Sequence, residues 1–290
     1  MANLKSLRNR IRSVKNTRQI TKAMKMVSAA KLRRSQERAQ SARPYSQHIR
    51  RMIGALAAQV DPQSGPALMV PAKGKRVELV MFTADRGLCG SFNSAVIRAV
   101  RSKVASLEES GHTVTVTCVG RKGHDVLKRQ LKSRVRRVHT GLTKNLTFER
   151  ADAVVTSHLL ADFANGEFDV CILVYNTFKS ALSIELTWKQ VIPMTVDTPE
   201  EVRGGAPEYE PEESDVLAEL LPHGVSVQVF HALVESDASE QGARMTAMDN
   251  AVRNAGDMIR KLGIKYNRTR QAAITTELME IIGGAESLKG

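Results

Sequence analysis

MANLKSLRNRIRSVKNTRQITKAMKMVSAAKLRRSQERAQSAR, residues Met1–Arg43, contains no glycine, no proline and a single acidic side chain, Glu37. As one helix at about 1.5 Å rise per residue it would extend roughly 65 Å, more than twice the span of a small domain. A helix that long has to bury its apolar positions against another helix. Leu4, Leu7, Ile11 and Val14 follow 3-4 spacing, and after an offset Ile20, Met24, Val27 and Leu32 continue the stripe, a coiled-coil seam with a stutter. Arg43-Pro44 should kink this helix or begin a new one, because proline lacks an N–H and clashes with the preceding turn. Ile49, Ile53 and Leu56 resume the pattern, and Asp61-Pro62-Gln63-Ser64-Gly65-Pro66 ends it.

The charge of the 290-residue chain is concentrated at this end. Residues 1–57 carry fifteen Lys and Arg against one Glu, a net of +14, whereas the whole chain is +13. From Glu212 onward eight basic residues meet twelve acidic ones, so the two ends have opposite sign and are suited to pair. Aromatic residues make up only 4%, which shifts the expectation from β-sandwiches to helix pairs. Cys89, Cys118 and Cys171 are odd in number and lack CxxC spacing, pointing to a reducing compartment. No apolar run approaches bilayer length and no secretory signal is visible, so a soluble or peripheral chain is expected. The basic N-terminus also has the composition of a mitochondrial transit peptide, but its apolar stripe runs well past Val27.

From Arg76 the pattern changes to short β-branched runs, Val77–Thr83, Val114–Val119 and Val170–Tyr175, with a further strand near Leu182–Ile192. Helices are expected between them at Phe92–Glu108, Gly123–Leu131 and Thr147–Asn165. This alternation reads as an open α/β sheet. Residues Thr198–Glu213 are rich in Pro, Gly and Glu and read as a linker or exposed loop. Helical periodicity then returns through Leu217, Leu221, Val227, Leu233, Met248, Leu262 and Ile282, with Pro222 and Gly224 expected to kink its beginning. The resulting division is a helix over 1–58, an α/β insert over 74–195, a foot loop over 196–211 and a helix over 212–286, the two helices antiparallel.

Catalytic apparatus is missing from the sequence. There is no GxxxxGK[ST] phosphate cradle, no GxGxxG after a strand, no HExxH pair and no GxSxG elbow, so neither cofactor nor metal is expected. Two segments remain to be weighed. Thr83-Ala84-Asp85-Arg86-Gly87-Leu88-Cys89-Gly90 lies at the end of the first strand. It reads either as a tight turn, with Ser91 capping the next helix, or as a contact surface presenting Asp85 and Arg86. The basic helix reads as a solvated coiled-coil face, a nucleic-acid-binding helix or a membrane-surface helix. No Phe, Tyr or Trp precedes Tyr45, which argues against the nucleic-acid reading.

Three runs carry a resemblance: ITKAMKMV at residues 20–27, DRGLCG at 85–90 and RQAAIT at 270–275. Together they resemble the gamma-subunit family of the rotary ATP synthases, in the same order and over essentially the full length. The resemblance implies a long antiparallel coiled coil with an inserted Rossmann-like open α/β domain. It also implies a non-catalytic shaft, without cofactor, inside a ring of alpha and beta subunits. Its foot would meet the epsilon subunit and the membrane c-ring, peripheral to the cytoplasmic face of a bacterial inner membrane and without insertion of its own. By the same resemblance Lys22, Met24 and Lys25 match the segment that meets an acidic beta-subunit loop. Arg270, Gln271, Thr275 and Glu277 match the segment that meets the catch region of the ring, and Ile281 and Ile282 lie near an apolar bearing sleeve. Asp85, Arg86, Tyr209 and Glu210 are the expected contacts of the insert and foot. A basic coiled-coil nucleic-acid-binding protein is the alternative.

Overall fold

The computed structural model describes residues 4–58, 65–71, 74–180, 183–195 and 213–287. Tyr209, Glu210 and almost all of the expected foot loop lie outside the described residues. The chain divides into two compact units, one made of Met1–Val27 with Met245–Gly290 and the other of Ser28–Arg244.

The elements are α1 (Leu4–Ala57), β1 (Arg76–Phe82), α2 (Phe92–Glu109), β2 (Thr113–Val119), α3 (Arg121–Gln130), β3 (Val135–His139), α4 (Phe148–Ala151), α5 (Ser157–Ala164), β4 (Val170–Phe178), β5 (Ile184–Ile192) and α6 (Glu213–Ser287). A π-helical turn, Asp152–Thr156, joins α4 to α5.

In the Ser28–Arg244 unit the five strands form one sheet in the order β3-β2-β1-β4-β5. β1, β2, β3 and β4 run parallel to their neighbours, and β5 is antiparallel on β4. β1 is central and covered on both faces, which is why RVELVMF reads as an almost continuous apolar run. Val77, Leu79 and Met81 pack on Val96, Val100 and Val104 of α2 and on Leu127 of α3. Val80 and Phe82 pack on the opposite face with Val155, Leu159, Leu217 and Leu221. The result is a three-layer α/β fold.

The exception in β1 is Glu78, fully buried and level with Thr115 of β2 and Cys171 of β4. Arg136 of β3 reaches it at 3.0 Å (Nε–Oε2), and the next residue, Arg137, holds Asp162 through two nitrogens at 2.6 and 2.9 Å. The Arg137 hydrogen bond holds the Asp162 carboxyl below its ordinary pKa. β3 was not among the expected strands, because VRRVH lacks an apolar run. Its two arginines serve as partners for carboxylates at the end of the sheet.

Pro44, expected to kink the first helix or begin a new one, lies inside α1, and Pro222, expected to kink the beginning of the last helix, lies inside α6. Each removes a main-chain hydrogen bond and costs roughly 3 kcal/mol in an isolated helix. Packing overrides this locally. Ile49, Ile53 and Leu56 of α1 and Leu217, Leu221 and Val225 of α6 share one buried cluster. Tyr45 and His223 meet edge to face with ring centroids 5.7 Å apart, which places the two prolines at nearly the same level of the helix pair. Ser46 Oγ donates to Arg43 O at 2.9 Å, and Ser226 Oγ donates to Pro222 O at 3.1 Å.

α6 also contains an 18-residue window of mean hydropathy 1.2, long and apolar enough to cross a bilayer on composition. Half of that window is buried inside the chain's own fold, as in a core helix. All three cysteines are free and buried. Burial pushes the Cys118 thiol up to about 12, with Glu78 adding to the shift, so this sulfur is kept protonated and inert.

Candidate functional site

In the unit formed by the free ends of α1 and α6, the helices pair antiparallel. Arg8 Nη2 donates to Tyr266 Oη at 2.8 Å, with its guanidinium 5.8 Å from the ring centroid, and Lys25 Nζ meets Asp249 Oδ1 at 2.5 Å. Arg253 holds the other oxygen of Asp249 at 2.8 Å. Leu7, Met248, Ala255 and Leu262 are buried in the seam. The stutter resolves differently from the sequence expectation. Ile20 and Val27 are 61% and 56% exposed, while Thr21 and Met24 turn inward and are half-buried.

These pairs fix a register in which Leu4 falls opposite Arg270, so α6 continues past the first described residue of α1. Along that continuation Ile274, Leu278, Ile281 and Ile282 recur at helical spacing, each about half exposed or more. An exposed apolar stripe of this kind marks a protein contact surface. Arg270, Gln271, Thr275 and Glu277 lie on the same stretch and are exposed, and Thr275 Oγ1 donates back to Gln271 O at 3.0 Å.

Lys22 is exposed, Met24 half-buried, and Lys25 is engaged by Asp249. This group lies about twenty residues along the pair from Arg270, roughly 30 Å at 1.5 Å per residue. The helix pair therefore presents two separate stations. Ile20 and Met26, 61% and 65% exposed, flank the first as apolar contact candidates. The sequence signal for them was the offset in the apolar stripe, which leaves surplus hydrophobic residues outside a two-helix seam.

The DRGLCG loop belongs to the Ser28–Arg244 unit. Asp85 ties strand ends together: its Oδ1 accepts from Arg121 N at 3.1 Å and its Oδ2 from Gly141 N at 2.8 Å. The turn reading of Asp85 thus has direct support, whereas Arg86 has an exposed side chain. Ser91 precedes α2 but makes no side-chain cap. The neighbouring Asn93 stabilises the loop instead, its Oδ1 accepting from Ala84 N at 2.8 Å. Leu88 adopts φ 65° and is 63% exposed, at the tip of the loop.

A buried polar run on α6 holds this loop. Glu235, Ser236, Asp237, Ser239, Glu240, Gln241 and Arg244 are all at most 9% exposed. Arg244 Nη1 pairs with Glu240 Oε1 at 2.6 Å, and its Nη2 donates to Arg86 O and Gly87 O at 3.4 and 3.3 Å. Ser35 of α1 donates to Asp237 Oδ2 at 2.5 Å, and Ser239 Oγ to Asn176 O at 2.9 Å. Glu235 Oε2 accepts from Phe178 N at 2.9 Å. Apolar periodicity does not point to these residues. Their signal was the missing apolar stripe between Leu233 and Met245 in an otherwise regular helix.

No group of three or more His, Cys, Asp or Glu able to hold a metal ion occurs among the described residues. The arrangement is one of clamps and contact surfaces.

A family model described as ATP synthase matches residues 3–288. The chain is 58% identical over 293 residues to the ATP synthase gamma chain of Magnetococcus marinus, covering 100% of each chain. It is 52% identical over 301 residues to that of Rhodospirillum rubrum, covering 99% of this chain and 100% of the relative. It is similar to a chain in the central stalk and c-ring structure of Tetrahymena thermophila mitochondrial ATP synthase, with 27% identity, TM-score 0.61 and coverage of 80% and 99%. It shares its fold with a chain of Euglena gracilis mitochondrial ATP synthase, with 24% identity, TM-score 0.73 and coverage of 98% and 94%.

Proposed function

The chain belongs to the ATP synthase gamma-chain family, and on that premise we propose that it turns as the central stalk of the enzyme. It transmits torque between the ion-driven c-ring and a catalytic ring of alpha and beta subunits. The observation that carries this reading is the antiparallel helix pair with an apolar stripe at Ile274, Leu278, Ile281 and Ile282 that is exposed among the described residues. A shaft needs an apolar end that seats in a sleeve without directional bonds, and side contacts that exchange easily. Exposed charges serve the second need, since solvated ion pairs contribute only about 0–1 kcal/mol each.

Lys22, Met24 and Lys25 form the first proposed contact with the beta subunits, and Arg270, Gln271, Thr275 and Glu277 the second. Asp249 restrains Lys25, leaving Lys22 as the freer cation of the first station. Tyr209 and Glu210 are proposed for the foot, toward the c-ring and the epsilon subunit, with Arg86 on the insert. Asp85 is a brace of the loop that presents Arg86. The proposed division remains a helix over 1–58, an insert over 74–195, a foot loop over 196–211 and a helix over 212–286. The proposed location is the cytoplasmic face of a bacterial inner membrane, in line with the bacterial relatives. The basic face of α1 is assigned to ring contacts, and the nucleic-acid reading is set aside.

The subunit is proposed to have no catalytic activity of its own. The purified chain should turn over no Mg²⁺-ATP, and substantial turnover free of alpha and beta subunits would overturn the assignment. In the assembled enzyme, Met24→Lys should leave the chain's melting temperature within a few degrees and most ATP hydrolysis intact. ATP-driven proton pumping should fall severalfold, because an added cation tightens the contact with an acidic partner. Unchanged pumping in inverted membrane vesicles would remove Met24 from the coupling surface.

A further inference from the structure

Within the Ser28–Arg244 unit the packing of α1 against α6 is not filled along its whole length. Ser35, Ala39, Ala42 and Ser46 recur at 3-4 spacing ahead of Ile49, Ile53 and Leu56, so large apolar side chains give way to small ones. Among the described residues a pocket of about 250 Å³ opens there between α1, α4 and α6. Ala39, Ala42 and Tyr45 line it from α1, Phe148 from α4, and Phe230 and Glu235 from α6. Phe148 and Phe230 meet at 76° with ring centroids 5.7 Å apart, and Phe148 also packs on His223 at 5.4 Å, so the aromatic wall is held in place by its own contacts.

Glu235 gives this lining its polar end, and the residue is 7% exposed. Its Oε2 accepts from Phe178 N at 2.9 Å, whereas its Oε1 has only His231 Nε2 at 3.8 Å among the described residues, beyond hydrogen-bond reach. Burial lowers the His231 pKa against the opposing pull of Glu235, and Arg43 and Lys189 lower it further, so the imidazole is neutral at pH 7. A buried carboxylate oxygen beside aromatic rings is thus left to take a donor from a ligand. We propose that this pocket binds a small neutral aromatic molecule carrying one N–H or O–H donor, its ring against Phe148 and Phe230 and its donor on Glu235 Oε1. A cation suits the site less, since Arg43 lies close enough to act on His231.

The volume sets the size of the ligand. It equals roughly eight waters at about 30 Å³ each, which admits one ring or two fused rings but no larger ring system. A ring in place makes the dispersion contacts that the small side chains of α1 leave unmade, and it bridges α1, α4 and α6 inside this unit. This holds whether or not the chain is a rotor, so its failure would leave the stalk assignment untouched.

The test is calorimetric titration of the full-length chain with indole and with benzofuran, which has the same shape and an oxygen in place of the N–H. Saturable binding of indole with a Kd of about 0.1–1 mM is expected for a ligand of this size. Benzofuran should bind at least about tenfold more weakly, because it leaves the buried carboxylate oxygen unpaired. Ala42→Leu places a larger side chain in the pocket and should weaken indole at least about tenfold, and Ala105→Leu, at an exposed position of α2, should leave it unchanged. Circular dichroism melting establishes that Ala42→Leu is folded, and Ala39→Leu replaces it if it is not. If neither variant folds, the comparison of indole with benzofuran on the parent chain decides alone. The proposal is overturned by absence of saturable indole binding, by benzofuran binding as tightly as indole, or by undiminished binding to the folded pocket variant.

Discussion

Arg244→Gln should destabilise the chain by about 3–5 kcal/mol, because removing one partner of a buried ion pair strands the other. The side chains of Arg244 and Glu240 are 11% and 9% exposed, so water does little to solvate the carboxylate left behind. Burial already raises the Glu240 pKa, and Arg244 is the largest influence opposing that rise. In the variant the pKa climbs further. A carboxyl with a raised folded-state pKa loses stability as pH rises through that value, so the deficit should be larger at pH 8 than at pH 5. The loop carbonyls of Arg86 and Gly87 lose their donor at the same time, and amide exchange across 85–90 should accelerate. Urea denaturation of Arg244→Gln and of Glu240→Gln/Arg244→Gln separates the terms: the double variant should recover a substantial part of the loss. A deficit below 1 kcal/mol in the single variant, flat with pH, would show that the pair does not anchor α6.

Gly120→Ala should be at least as damaging. Gly120 follows β2 with φ 106°, and a Cβ there would lie 1.9 Å from Thr83 O and 2.6 Å from Thr83 C, both backbone atoms with no rotamer to escape through. The surrounding segment is pinned: Thr83 N donates to Val119 O at 2.7 Å and Gly120 N to His139 O at 2.8 Å, which ties the ends of β1, β2 and β3. Relief requires parting these strand ends or distorting them, at a cost above about 4 kcal/mol, beyond the ordinary range of single substitutions. The expected result is little soluble protein, and a urea midpoint moved far down in whatever is recovered. A variant within 1 kcal/mol of the parent would show that the β1 and β2 ends are pliant.

The sequence carried the architecture well where burial follows a single period. The four expected strands and the α2 and α3 helices lie within a few residues of their observed bounds, because β1 is buried on both faces and α2 buries a regular Phe92–Val96–Val100–Val104 stripe. It carried less where polar residues are buried. β3 escaped notice since Arg136 and Arg137 are there to meet Glu78 and Asp162, and the polar run from Glu235 to Arg244 carries no hydrophobic period at all. Spacing places Ile20 and Val27 in the seam because it cannot tell a residue facing one helix from a residue left for another partner. The DRGLCG turn was legible from its Asp and Gly content. That Arg244, more than 150 residues away, holds it was not, since such pairing exists only after the chain has folded.

Pro44 and Pro222 leave two helices each short of one rung at nearly the same height. Backbone hydrogen bonds resist twisting of a helix about its own axis, so a rod missing one in both strands is torsionally softest at that level. Under an applied torque such a level takes up a larger share of the twist than the fully bonded turns on either side of it. Tyr45 and His223, packed edge to face beside the missing rungs, keep the two strands together while they wind.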